Sequence, residues 1–245
     1  MTPEELVQTA CPPIAALGGL FYFDPATVAR GKEHGLDGMR FYILGRGGVL
    51  GDVEPAVVQS AFGYFSAGVI TKLWNSAKEK VAPRDAGRLY HECAATYGRE
   101  RFDGIELSAF CAAGDKVLEA AHPAGFSLFA GWAAEPRVSD DAGRAMQLAV
   151  VLRELRGCAH LVALLASGVH PEVAHFIRRP EMYKGFGYDD TNPPSVSEAD
   201  KANLVAAEQL TDRLVLPAYS VLDATEAEAL ADGAIKMLQI AKPEG

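Results

Sequence analysis

LAVVLRELRGCAHLVALLASGVHPEVAHFIRR, Leu148 to Arg179, decides the fold class of this chain. Leu148, Val151, Leu152, Leu155, Ala159, Val162 and Leu165 recur every three or four positions, which is the period of one helical face. Arg153, Arg156 and His160 fall on the other side, within about 60° of one another at 3.6 residues per turn. One ligand could meet all three. The same stripe is also what the solvated side of an amphipathic helix looks like, so both readings stay open on spacing alone. Gly157 interrupts the stripe at a cost of roughly 1 kcal/mol against alanine, which points to close backbone packing or to a ligand's approach. Gly168 and Pro171 end this helix and start another that runs to about Arg179, giving the layout of a helix-turn-helix.

Helical signals extend outward in both directions. Upstream, AEPRVSDDAGR (residues 134–144) is polar, contains Pro136, and supplies Ser139 and Asp140 as helix caps. A subdomain boundary is placed there, dividing the chain into residues 1–135 and 136–245. Pro55 opens a helix with apolar spacing at Val57, Ala61, Tyr64 and Phe65, and further helices are expected over about Arg84–Thr96 and Gly104–Ala121. Downstream, PEMYKGFGYDDTNPPSV (residues 180–196) reads as a loop. Ser197 caps a helix to about Leu216, where Pro217 bends or stops it. Thr225 with Glu228 forms a capping box for a last helix to about Ile240. Only Phe41 to Leu44 resembles a strand, so the expected fold is all-α. The apolar positions of Ala227–Ile240 offer a face for a homodimer.

The charge balance restricts the partners. There are 23 Lys and Arg against 32 Asp and Glu, a net charge of -9, and residues 185–245 alone hold 11 acids and 4 bases. Such a chain has little non-specific attraction for phosphate backbones or anionic membranes. Cys11, Cys93, Cys111 and Cys158 are widely spaced, which suits free thiols in a reducing cytoplasm. The N-terminus has acids where a signal peptide needs bases. The longest uncharged stretch, Pro55 to Thr71, is broken by Gly63 and Gly68, so no membrane span is expected. No phosphate-binding glycine motif follows a strand, and H-E-x-x-H, C-x-x-C and G-x-S-x-G are missing; neither a cofactor nor a metal is indicated.

Several stretches together resemble one family. LRELRGCAH (Leu152 to His160) is similar to its L-R-E-H-R-G-D-G-H pattern, and EQLTDRL (Glu208 to Leu214) to its E-x-x-T-D-R-L. GLDGMRFYILGRGGVLGDV (Gly35 to Val53), AFGYFSAGVITKLW (Ala61 to Trp74) and AGFSLFAGWA (Ala124 to Ala133) resemble three further blocks, in the family's order. This is a large, mostly actinobacterial family of helical proteins known by a helix-turn-helix label, without an established common activity. The chain departs from it at Cys158, Ala159 and Phe126. The family's winged insertion between the R-G-x-x-H and T-D-R-L helices is reduced here to about Arg179–Ser197.

Two functions follow as expectations. In the first, a small organic ligand with an anionic or carbonyl group lies between the subdomains. Arg46, Arg153 and Arg156 hold its polar group, Phe62, Tyr64, Phe126 and Trp132 line its apolar side, and His160 donates or accepts a proton if chemistry occurs. Arg46 sits in Gly45–Gly48, a stretch that suggests a turn with exposed N–H groups. No feature fixes a reaction, so enzyme and binder both remain open. In the second, the chain is a helix-turn-helix transcriptional regulator. Its reading helix would offer only Arg178 and Arg179, with Glu172 against them, which is few phosphate contacts for duplex DNA.

Overall fold

The computed structural model describes residues 1–242 and is all-α, with no β-strand among the described residues. The first stretch of chain forms α1 (Pro3–Leu17), α2 (Pro25–Glu33), α3 (Gly38–Gly47) and α4 (Pro55–Phe62). It continues as α5 (Ala67–Lys78), α6 (Pro83–Phe102), α7 (Ser108–Ala120) and α8 (Ser127–Ala133). The second stretch forms α9 (Asp141–Ala166), α10 (Pro171–Arg178), α11 (Glu198–Tyr219) and α12 (Ala224–Ala241). No helix among the described residues is long and apolar enough to cross a membrane.

The longest helix, α9, is the axis of the molecule. The Asp140 carboxylate caps it by accepting from the Gly143 N–H at 2.9 Å. It ends at Gly168, whose φ of +74° a side chain would strain. Its first half has no exposed side: Ala145, Leu148, Ala149, Val151 and Leu152 are fully buried, and so is the polar Gln147. Helices α1, α6, α7, α8 and α11 pack around it. The amphipathic reading of its second half holds at Leu155 and Ala159, which are buried, and fails at Val162 and Leu165, which are exposed, while Arg153 and Arg156 are drawn inward.

One large apolar core runs from Leu6 to Met237 and so draws on both sides of the boundary expected at residue 135. A smaller cluster, Ala163, Leu164, Val169, Ala174, Leu204 and Ala207, joins the end of α9 to α10 and α11. The face of α12 expected to serve a homodimer is used within the chain. Ala227, Leu230, Ala231, Ala234 and Met237 are buried, and α12 packs on α1 and α7.

Five local expectations are corrected. Phe41–Leu44 is helical and lies inside α3. Gly45 to Gly47 continue the same helix, and Gly48 opens a short 3-10 turn, so this stretch is not an exposed anion-binding loop. The glycines are needed for close helix approach: a Cβ on Gly45 would lie 2.6 Å from the Tyr90 ring, and one on Gly48 would overlap the Pro83 carbonyl. Pro217 does not stop α11, which runs on to Tyr219. The capping box of α12 is Asp223 with Glu226, two residues before the expected pair. The loop after α10 folds as two 3-10 turns, Pro180–Met182 and Lys184–Phe186.

Candidate functional site

The buried second half of α9 faces a cavity of about 330 Å³, within the range of small-molecule sites. Arg153, Glu154, Arg156, Gly157, Cys158, His160 and Leu161 form the α9 wall. Tyr42 and Arg46 of α3 stand across from them, with Ala61 and Phe62 of α4 and then Tyr64 and Phe65. His175, Arg178, Arg179, Met182 and Phe186, from α10 and the turns after it, complete the enclosure. Gly157 belongs here for a simple reason: a Cβ at that position meets no atom within 4 Å, so it borders open space.

Of the residues predicted from sequence, Arg46, Arg153, Arg156, His160, Phe62 and Tyr64 are brought together around this cavity. Phe126 and Trp132 are not. Trp132 is fully buried, edge-on to His91 with ring centroids 5.2 Å apart, and Phe126 is buried at the start of α8. Tyr42 and Phe65, aromatic residues of the same stretches, join the predicted residues around the cavity, while Glu154, His175 and Phe186 were not foreseen. Glu154 alone had a visible signal, as the one carboxylate between the arginines of LRELRGCAH.

Three of the family-like stretches meet in space. Arg46 donates to both oxygens of Glu154, Nε at 2.7 Å and Nη2 at 2.8 Å, and Nη1 donates to the Tyr42 hydroxyl at 3.1 Å. The Arg46 guanidinium lies over the Phe62 ring, 4.4 Å from its centroid. Burial by itself would push the Glu154 carboxyl up, but Arg46 and then Arg153 hold it below the usual carboxylate range. The second meeting joins α9 to EQLTDRL on α11. Arg156 Nη2 donates to Glu208 at 2.8 Å and to Asp212 at 3.2 Å, and Arg178 of α10 also pairs with Glu208.

Arg153 is different. Its Nε donates to the Tyr22 hydroxyl at 3.3 Å and its Nη1 to the Ala15 carbonyl, both neutral acceptors. The nearest carboxylate, Glu154, is already gripped at both oxygens by Arg46. Two inward-drawn guanidiniums therefore share one fully buried carboxylate, an imbalance that low-dielectric surroundings make costly unless an anion enters.

The hydrogen bonds around His160 select one tautomer. Thr211 donates its hydroxyl proton to the Ala207 carbonyl at 2.7 Å, so its oxygen accepts from Nδ1 of His160 at 2.9 Å. Glu208 is 3.8 Å from the same nitrogen, too far for a hydrogen bond. Nε2 of His160 is therefore the bare lone pair, and it is buried without a partner among the described residues. Burial, then Arg178 and Arg156, push the imidazole down to about 4. Nε2 of His175 and Nε of Arg156 are likewise buried and unpartnered among the described residues. The Cys158 thiol is pushed up to about 11 by burial, so it is no thiolate nucleophile at neutral pH.

A family described as "Helix-turn-helix family" matches residues 7–192, well over half of the chain, and the chain belongs to it. Comparison with curated proteins and with solved structures finds no match.

Proposed function

We propose that this helix-turn-helix family member binds a small organic anion with an aromatic body in the α9 cavity, at the junction of residues 1–135 and 136–245. One observation carries the reading: Arg153 is a largely buried cation without a carboxylate of its own, beside Arg46 and in a cavity that three further arginines line. The arginine fork suits a planar carboxylate. Phe62, Phe65 and Phe186 provide the apolar side, with Phe65 and Phe186 stacked at 4.0 Å. A chain with a net charge of -9 that concentrates arginines around one cavity favours a small anion over a polyanion. Four buried free thiols support a cytoplasmic setting. In this reading His160 is a neutral proton acceptor, the role it would take in any reaction on the bound anion.

Isothermal titration with benzoate is the direct test. Saturable binding at a 1:1 ratio is expected, with at least tenfold loss in Arg153→Gln. No heat with benzoate or with larger aromatic carboxylates, or equal affinity in the variant, would remove the reading.

A second reading, a DNA-binding regulator, is favoured by the family label and by the α9–turn–α10 geometry. Against it, Arg178 is paired with Glu208, and Glu172 stands on the same short helix. Site-selective, steeply salt-dependent duplex binding that is lost in Arg178→Ala with Arg179→Ala would establish it.

A further inference from the structure

The cavity contains a second unmet demand besides negative charge. Thr211 has only one hydroxyl proton, and the Ala207 carbonyl takes it. The contact with His160 Nδ1 can then only be a bond donated by the imidazole, which leaves Nε2 as an acceptor. That acceptor is buried, on a residue of the cavity wall, and no donor of the described residues reaches it. A buried acceptor without a donor is costly, and a ligand that supplies the donor recovers the loss.

The surroundings restrict the donor. Arg178 and Arg156, both paired with Glu208, still act against a further positive charge at the imidazole, so a cationic donor is disfavoured. The same cations favour an acidic donor, whose oxygen gains negative charge as its proton is shared. Among neutral groups on an aromatic body, a phenolic hydroxyl fits that description best. Phe62 and Phe65 line the wall beside the ring, and Arg153 supplies the place for an anion.

We propose that the ligand is a phenolic carboxylate, its carboxylate held by Arg153 and Arg46 and its hydroxyl donating to Nε2 of His160. This rests on the anion-binding reading above and narrows it to one chemical class.

Titration calorimetry with benzoate, the three hydroxybenzoates and the three methoxybenzoates tests it. Methoxy groups accept but do not donate, so they separate hydrogen bonding from size. At least one hydroxybenzoate is expected to bind about ten- to a hundredfold more tightly than benzoate and its own methoxy counterpart. That preference should vanish in His160→Phe. In Thr211→Val, where Nδ1 loses its acceptor and the proton can move to Nε2, it should shrink. Should either variant lose its helical circular dichroism, the wild-type protein still decides through the ¹⁵N spectrum of the His160 side chain. Nε2 must be the unprotonated nitrogen and must shift when the preferred hydroxybenzoate binds. Hydroxy, methoxy and unsubstituted acids binding within about twofold of one another, or a protonated Nε2, would overturn the phenolic assignment and leave the anion site standing. Failure of every acid to bind would overturn both.

Discussion

Helix α9 carries two buried polar clusters thirteen residues apart, around Gln147 and around His160, and they differ in what is left over. At the first, Gln147 accepts from the Val138 N–H at 2.9 Å and donates to the His91 carbonyl at 3.1 Å, tying α9 to α6 and to the segment before α9. His91 packs edge-on to Trp132, and neither lines the α9 cavity. At the second, ion pairs are added to the hydrogen bonds, a cavity adjoins them and a cation is left in excess. Each cluster contains a buried histidine with Nε2 unpartnered among the described residues, and each histidine is pushed down to about 4. An unmet polar atom therefore does not define a site by itself. It becomes one where space and uncompensated charge lie next to it.

Truncating each cluster should separate them most strongly. Glu154→Ala strands the buried Arg46 guanidinium and is expected to cost about 3–5 kcal/mol in urea unfolding. Gln147→Ala strands only neutral groups and should cost about 1–3 kcal/mol. Equal losses would erase the distinction between a charged and a neutral cluster.

A pH series gives the next largest effect. Burial and, behind it, Arg137 lower the His91 value, while burial, Arg178 and Arg156 lower that of His160. Both folded values lie below the ordinary value of about 6.5, so the unfolded chain binds more protons between the two. The histidine contribution is full above about pH 6.5, falls as the pH drops toward 4, and levels off below, where the loss from paired carboxylates such as Glu154 takes over. Each histidine contributes at most about 1.4 kcal/mol per pH unit. Benzoate held by Arg153 and Arg46 puts a negative charge in the cavity that His160 lines, which raises His160 toward its ordinary value and should reduce its share of the slope. The share of His91 should not change, and a ligand that flattened both contributions would contradict the assignment of only one histidine to the cavity.

Gly157→Ala should produce the smallest change and the most selective one. The new methyl meets nothing within 4 Å, so the helix gains up to about 1 kcal/mol, while the same methyl narrows the cavity and weakens benzoate binding. A gain in melting temperature with unchanged affinity would show that the ligand does not approach this part of α9.

Much of the fold was legible because its signals are local. Asp140, Gly168, Pro171 and Ser197 each mark a helix end within a few residues of the chain, and the structure uses all four. The stretch Gly45–Gly48 misled because glycine has two uses. Locally it reads as a turn, but here it lets α3 and the 3-10 turn after it press against α6, a demand made by residues some forty positions away. The basic stripe of α9 was legible as a cluster and not as a buried one. Its partners Glu208, Thr211 and Asp212 lie on another helix, and spacing within one helix contains no information about them. Phe126 and Trp132 were aromatic in a family-like block, and burial in the core accounts for both.

The enclosure of the cavity has a dynamic consequence. Its α9 wall belongs to a helix surrounded by five others, whose amide protons can leave only when the whole molecule unfolds. The segment that completes the enclosure is an eight-residue helix and two 3-10 turns with many exposed residues, fastened by the Phe186 ring between Phe65 and His175 and by the Ser66 N–H bonded to the Phe186 carbonyl. Local opening there needs far less free energy, so hydrogen exchange should be fast along residues 180–196 and slowest along α9. Guests would enter and leave through the yielding side, while the rigid side keeps Arg153 and His160 in register.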